Sequence, residues 1–157
     1  MSNKQQLIDE ILKNTGFSAL NDLQLDTLKK SEQFKDLLIL SQTGSGKTLA
    51  FLLPLLMNLK SDFPFIQAII IAPSRELAIQ IETVFRSLKT GHKVLTCYGG
   101  HSMKVERQSL SEAPAVLIGT PGRICDHIHR EQLDLGKVEQ LVIDEYDKCL
   151  EFGFEDQ

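Results

Sequence analysis

The stretch Ser41-Gln42-Thr43-Gly44-Ser45-Gly46-Lys47-Thr48 decides the fold of this chain. It follows a short apolar run, Leu37–Leu40, and it opens an apolar helical pattern over residues 47–59. A strand, a glycine-containing loop and a helix in this order form the setting in which backbone N–H groups and a lysine bind phosphates. An ordinary glycine turn before a helix is the alternative. The Gly-Lys-Thr sequence after an apolar run favours a phosphate-binding loop.

A second stretch, Leu141-Val142-Ile143-Asp144-Glu145-Tyr146-Asp147, combines an apolar strand pattern with acids at its end. Such acids suit magnesium binding and the orientation of a water molecule, although a solvated acidic turn is the alternative. We expect Asp144 to hold magnesium, partly through water, and Glu145 to position the attacking water. Lys47 is expected to bind the β- and γ-phosphates, and the Thr48 hydroxyl to bind the same magnesium ion. Together the two stretches indicate nucleoside-triphosphate hydrolysis.

Short apolar runs alternate with helical patterns along most of the chain. This alternation predicts an α/β fold with a parallel sheet and helices on both of its faces. Ligands bind beyond the carboxyl ends of the strands in such sheets, and each motif of interest lies at such an end. Besides the run at 37–40, the predicted strands are 68–72, 94–97, 115–119 and 140–143, and the predicted helices are 3–14, 22–31, 47–59, 75–88, 102–110 and 122–131. In the helix 22–31, we expect Leu23, Leu25 and Leu28 to face inward.

Composition limits the classes of function. The chain has 157 residues and a net charge of −4, so nucleic-acid binding requires a local basic surface rather than a basic protein. Its three cysteines include no C-x-x-C pair, which predicts reduced thiols and a cytoplasmic protein. The longest apolar stretch, 49–59, is too short to cross a bilayer, so no membrane association is expected.

A metal site is a weaker hypothesis for Cys125 and His129. They lie four residues apart on a predicted helix and close to Asp126 and His127, so they could share a metal ion. No second pair with ligand spacing completes the site, so a helix with polar residues on its solvent side is the better interpretation.

Six motifs, in order, resemble those of the first RecA-like domain of the DEAD-box RNA helicases. The matching stretches are 16–24 for the Q motif, 41–48 for motif I, 72–80 for motif Ia, Gly99-Gly100 for the glycine doublet, 120–123 for motif Ib and 144–147 for motif II. The resemblance runs from about Gly16 to Phe154. It implies a RecA-like P-loop NTPase fold, in which residues 1–157 form a partial N-terminal ATP-binding domain.

The resemblance also implies roles for individual residues. Gln24 would read the adenine edge through its amide, supported by Phe17, and would select ATP over GTP. The cofactors would be ATP and Mg²⁺, with the nucleotide held by Thr43, Gly44, Ser45, Gly46, Lys47 and Thr48. Single-stranded or duplex RNA would be bound through its backbone by Pro73, Ser74, Arg75, Gly99, Gly100, Thr120 and Arg123. Taken one at a time, several of these residues also suit plain helix caps.

Five positions depart from the family pattern. Tyr146 replaces the alanine of the Asp-Glu-Ala-Asp motif, so a bulky phenol must find room or displace a neighbour. Leu20 replaces a proline of the Q motif. Leu7 occupies the position of an aromatic residue that packs on adenine, which implies weaker adenosine binding. The serines Ser41 and Ser74 are milder changes.

The sequence ends shortly after motif II, before motif III and the second RecA-like domain of the family. We therefore expect a piece of an ATP-dependent RNA helicase, nearly inactive alone, whose parent couples ATP hydrolysis to RNA strand separation or RNP remodelling. The motif III strand normally separates the strands of motifs I and II, so we expect local rearrangement or strand exchange with another copy. The alternatives are a DNA-directed helicase or translocase and a non-catalytic ATP-dependent RNA clamp.

Overall fold

The computed structural model describes residues 3–151. Its helices are α1 (Asn3–Thr15), α2 (Asp22–Ser31), α3 (Lys47–Met57), α4 (Arg75–Ser87), α5 (Met103–Leu110), α6 (Pro121–His129) and α7 (Tyr146–Glu151). Its strands are β1 (Ala68–Ile71), β2 (Val94–Cys97), β3 (Val116–Gly119) and β4 (Gln140–Ile143). The chain divides into two compact units, Met1–Leu59 with Val84–Thr90 and Lys60–Thr83 with Gly91–Gln157.

The second unit contains a parallel sheet with the strand order β2-β3-β1-β4. The central strands β1 and β3 are short apolar runs and are almost wholly buried, as expected for strands covered on both faces. On one face Ile66, Ile69, Cys97, Leu117 and Ile124 form a buried apolar cluster. The predicted α/β class and parallel sheet are confirmed, as are the bounds predicted for β2 and β4.

β4 lies at one edge of this sheet, where it pairs with β1 alone among the described strands. Its side chains alternate between half-buried and exposed, and Leu141 is 61% exposed. An edge strand with exposed apolar side chains is an unusual feature, because unpaired N–H and C=O groups invite further pairing.

The predicted strand Leu37–Leu40 is wrong. These residues belong to no strand, and Leu38 and Leu40 are 75% and 83% exposed. A strand needs the N–H and C=O groups of a neighbour, and the described strands pair only with one another. Apolar composition alone therefore does not make this run a strand.

In the first unit, the helix α3 is buried along most of its length, and Ile11 of α1 is fully buried. Gly16 ends α1 with a φ of +75° and donates its N–H to the Leu12 carbonyl. The helix α2 has its predicted bounds, but the inward position of Leu25 is wrong, because this side chain is half exposed. Gln24 and Thr27 are the buried residues of α2 instead.

No helix within residues 3–151 is both long enough and apolar enough to cross a membrane.

Gly119 tests the packing at the carboxyl end of β3. A Cβ atom there would lie 2.7 Å from the Cys97 carbonyl oxygen and 2.9 Å from Ile124 Cγ1. We expect Gly119→Ala to lower the free energy of unfolding by about 1–3 kcal/mol, measured by urea denaturation. Gly99→Ala is the matched control, because a Cβ atom there meets no atom of the described residues within 4 Å. Equal stability of both variants would contradict this packing.

Candidate functional site

The loop 41–46 leads directly into the N-terminus of α3. Gly44 and Gly46 adopt φ values of +80° and +84°, a left-handed region that disfavours side chains. Gly46 is the N-cap of α3, and within residues 3–151 no side chain forms a cap hydrogen bond at this helix start. The backbone N–H groups of the first turn, with Lys47 and Thr48 beside them, therefore present a positive helix end that can bind an anion.

Two amide side chains of the first unit hold this loop. Asn21 is the N-cap of α2, and it exchanges hydrogen bonds with Gln24 in a capping box, with both N···O distances 3.0 Å. Asn21 Nδ2 also donates to the Ser45 carbonyl at 2.9 Å, and Gln24 Nε2 donates to the Gly46 carbonyl at 3.3 Å. The start of α2 and the loop are thus one hydrogen-bonded assembly. Sequence reasoning missed Asn21, although Asn followed three residues later by Gln is a capping-box signal.

The predicted nucleotide residues differ in exposure. Gln24 is buried, and Gly46 adjoins it so closely that a Cβ atom on Gly46 would lie 2.6 Å from Gln24 Nε2. A glutamine amide has two N–H donors and two acceptor lone pairs, so these two bonds leave one donor and one acceptor for a ligand. Phe17 and Thr43 are exposed.

The two acids that follow β4 are held differently from each other. Asp144 is buried, its N–H donates to the Ile71 carbonyl, and its Oδ1 accepts the Glu145 N–H at 3.0 Å. Glu145 has a φ of +48°, a conformation that costs a non-glycine residue about 1–2 kcal/mol. Its carboxylate accepts a hydrogen bond from Lys148 Nζ at 2.7 Å. A strained acid after a strand is typical of functional sites.

Tyr146 begins α7 and is 51% exposed. The bulky phenol has therefore found room in the solvent. Asp144 and Glu145 lie between the end of β4 and this tyrosine.

The predicted RNA-binding residues of the second unit lie at the carboxyl ends of β1, β2 and β3. Ser74 caps α4, accepting the Leu77 N–H on its hydroxyl, and Thr120 is the N-cap of α6 with Pro121 in the first turn. Gly99 and Gly100 are exposed after β2. Arg75 is exposed, and its guanidinium lies 5.3 Å from the centre of the Tyr98 ring.

Glu106 of α5 is fully buried and is surrounded by donors. Its Oε1 accepts the Tyr98 N–H at 3.3 Å and faces His101 Nδ1 at 3.2 Å. Its Oε2 accepts hydrogen bonds from Arg123 Nε and His127 Nε2, both at 2.7 Å. The Arg123 guanidinium also donates to the His101 carbonyl at 2.6 Å. Sequence reasoning missed Glu106, because a charged residue on a helix is usually exposed.

The ionised form of Glu106 is favoured despite its burial. Burial alone would raise the pKa of this carboxyl, but the hydrogen bonds from His127 and Arg123 and the charge of Arg123 hold its pKa below the ordinary value. Burial, followed by the nearby Glu106 charge, raises the pKa of the Cys97 thiol to about 12. Cys97 is therefore a neutral partner of this network.

Cys97, Glu106 and His127 place three metal-ligating atoms within 4.8 Å of one another. However, the Arg123 guanidinium already neutralises the Glu106 carboxylate, and a metal ion would have to compete with this cation. The chemistry of the cluster therefore fits a proton-bearing network. His127 turns inward to this network, whereas His129 on the same helix is exposed.

Comparisons with known proteins agree with this geometry. The sequence matches the family described as DEAD/DEAH box helicase over residues 21–157. It is 42% identical over 145 residues to the ATP-dependent RNA helicase CshA of Limosilactobacillus reuteri, and 40% identical over 148 residues to the ATP-dependent RNA helicase DeaD of Escherichia coli (strain K12). These matches cover 91% and 92% of this chain but only 29% and 24% of the two relatives.

Solved structures give the same result. A DEAD box protein from the hyperthermophile Methanococcus jannaschii matches with a TM-score of 0.87 and 34% identity, over 99% of this chain and 42% of that chain. A hypothetical ATP-dependent RNA helicase from Sulfolobus tokodaii matches with a TM-score of 0.85 and 29% identity, over 96% of this chain and 44% of that chain. The fold is therefore the RecA-like fold of these helicases.

Asn21 offers a test of the bonds between α2 and the loop. Asn21→Ala removes both the helix cap and the bond to Ser45, so we expect it to lower the free energy of unfolding by about 1–2 kcal/mol. Asn21→Ser keeps an oxygen for the cap but lacks the donor for Ser45, so it should recover about half of this loss. Urea denaturation of the three proteins measures both values. A serine variant as unstable as the alanine variant would show that the cap contributes nothing.

Glu106 gives a prediction for pH. Its pKa in the folded chain is below the ordinary 4.5, so its contribution to stability is fully present above that value and is lost as pH falls through the folded-state pKa. Glu106→Gln should cost about 3 kcal/mol at neutral pH, and the difference from wild type should shrink below about pH 4.5. Glu112→Gln, an exposed control, should change stability by less than about 0.5 kcal/mol. A difference that stays constant with pH would contradict the prediction.

Proposed function

This chain belongs to the DEAD/DEAH box helicase family, and we propose that it is the ATP-binding part of an ATP-dependent RNA helicase. Residues 1–157 would form an N-terminal RecA-like domain whose partners are RNA and a second RecA-like domain. The parent protein would couple ATP hydrolysis to local RNA strand separation or to the remodelling of RNA–protein complexes. The two curated relatives described above, both named as ATP-dependent RNA helicases, support this proposal.

The phosphate loop is the observation that carries the proposal. Its two left-handed glycines and the uncapped start of α3 suit the close approach of a polyphosphate to the backbone. Lys47 would bind the β- and γ-phosphates as a mobile charge. Gln24 would add selectivity for adenine through the donor and acceptor that its internal bonds leave over, with Phe17 as support.

The residues expected to hold magnesium suit that ion. Thr48 and Asp144 offer a hydroxyl and a carboxylate oxygen, the hard ligands that Mg²⁺ prefers. When bound, the ion would neutralise charge on the phosphates. Glu145 would hold the attacking water by accepting its hydrogen bond. Lys148 donates to Oε2 of this carboxylate, which has further lone pairs that can accept a water.

RNA would lie at the carboxyl ends of β1, β2 and β3. Arg75 and the Thr120 hydroxyl would bind phosphate oxygens, while Gly99 and Gly100 leave the backbone open to the RNA chain. Pro73 and Ser74 would contribute by fixing the start of α4, where Arg75 lies. The exposure of Arg75 and both glycines supports this placement.

The first experiment is steady-state ATP hydrolysis by the complete gene product without nucleic acid, with single-stranded RNA and with DNA of matched sequence. We expect strong stimulation by RNA alone. RNA bound at these loops would lie at the sheet edge that carries the acids, and contacts to its 2′-hydroxyls would distinguish it from DNA. Stimulation by DNA would favour the DNA-directed alternative. Measurable ATP binding without stimulation would favour a non-catalytic clamp.

Glu145→Gln tests the assigned role of the acid. It keeps the shape and the polar contacts but removes the base, so turnover should fall by about 10²–10⁴-fold while nucleotide binding changes little. Glu139→Gln makes the same chemical change at an exposed position just before β4 and should leave turnover unchanged. Unchanged turnover in the Glu145 variant would refute its role.

A further inference from the structure

The two arginines at the proposed RNA-binding edge are held very differently. Arg75 is exposed and stacks on Tyr98, so its charge faces solvent. The Arg123 side chain is 11% exposed, and its guanidinium lies between a buried carboxylate and a loop carbonyl. The Arg75 guanidinium is therefore accessible to a phosphate, whereas the Arg123 guanidinium is engaged inside the protein.

The charge of Arg123 is already matched inside the protein. Its Nε donates to Glu106 Oε2 at 2.7 Å, and Glu106 is fully buried. To release the guanidinium to a phosphate would leave the Glu106 carboxylate buried without its strongest partner, which is a costly change. The pair carries no net charge, so it offers little attraction to RNA from a distance.

The same pair holds the loop Tyr98–His101 from inside. Glu106 Oε1 accepts the Tyr98 N–H at one end of the loop and faces the His101 imidazole at the other end. Arg123 binds the carbonyl of His101 at 2.6 Å. Gly99 and Gly100 lie between these anchors, exposed, and Gly100 adopts a φ of +86°. The contacts therefore fix the part of the loop that would meet RNA.

We propose that Glu106 and Arg123 are positioning residues for RNA, which hold the Tyr98–His101 loop in the shape that receives a phosphate backbone while Arg75 makes the phosphate contact. His127 supports the pair, because its Nε2 donates to Glu106 Oε2 at 2.7 Å and its Nδ1 faces Gln132 Oε1 at 2.8 Å. This inference rests on the proposed RNA-binding function and assigns to Arg123 an indirect role in it.

The dependence of RNA affinity on salt separates the two roles. A side chain that contacts a phosphate releases a counterion, so its loss reduces the slope of log affinity against log salt by about 0.7 for a single strand. A positioning residue lowers affinity without changing the slope. We would measure binding of labelled poly(U) to the complete gene product, with a non-hydrolysable ATP analogue, over a range of KCl concentrations.

Arg123→Gln should weaken binding about tenfold with the wild-type slope, because RNA must then order the loop as it binds. Arg75→Gln should reduce the slope by about 0.7. Arg123→Lys keeps the charge but replaces the fork-shaped donor with a single ammonium group, so it should also bind weakly. A loss of slope with Arg123→Gln, or full affinity with Arg123→Lys, would overturn the proposal.

Amide hydrogen exchange supplies a readout without RNA. Arg123→Gln and Glu106→Gln should accelerate exchange at the Tyr98 and His101 amides, whereas Arg107→Gln, at an exposed position of α5, should not. Unchanged exchange in the Arg123 and Glu106 variants would overturn the positioning role. If the wild-type protein binds no RNA, the proposed function fails and the RNA role of the pair fails with it, whereas wild-type binding with an unaffected Arg123→Gln variant overturns this inference alone.

Discussion

The parallel pairing of β1 with β3 and β4 is the constraint on which the second unit depends. Parallel strands end at the same edge of a sheet, and here the ladder continues one residue beyond the strands. The Ala72 N–H donates to the Gly119 carbonyl, the Thr120 N–H to the Cys97 carbonyl and the Asp144 N–H to the Ile71 carbonyl. The first residue of three connecting loops is therefore fixed by backbone bonds. Residues as far apart in the chain as Ile71 and Asp144 meet at one edge for this reason alone.

Backbone pairing fixes where the loops begin but not how they continue. Beyond β2, the chain turns through Gly99 and Gly100, which have few conformational limits of their own. The Glu106 carboxylate fixes this loop instead, because it accepts the Tyr98 N–H and contacts the His101 imidazole. A buried ion pair is seldom more stabilising than apolar packing, so its presence beneath an exposed glycine turn is better explained by the shape it enforces than by stability.

Most of the fold could be predicted from the sequence, because short apolar runs bounded by turn residues are typical of buried strands. The strands β2 and β4 illustrate this, because their observed bounds are the same as the bounds predicted from the sequence. Leu37–Leu40 has the same composition yet forms no strand, because pairing depends on a neighbour that local pattern does not describe. The buried position of Glu106 could not be predicted from the sequence for a related reason. Its partners Arg123 and His127 lie 17 and 21 residues away, and only the fold brings them together.

The end of β4 shows how this edge tolerates an unusual residue. Asp144 is fixed by the ladder bond from its own N–H, and Glu145 follows it in a left-handed backbone conformation. The next residue then starts α7 on the solvent side, so Tyr146 needs no space among the packed strands. The two acids depend on the backbone before them rather than on the side chain after them. Substitution of the family's alanine by tyrosine therefore changes the surface beside the acids and leaves their support unchanged.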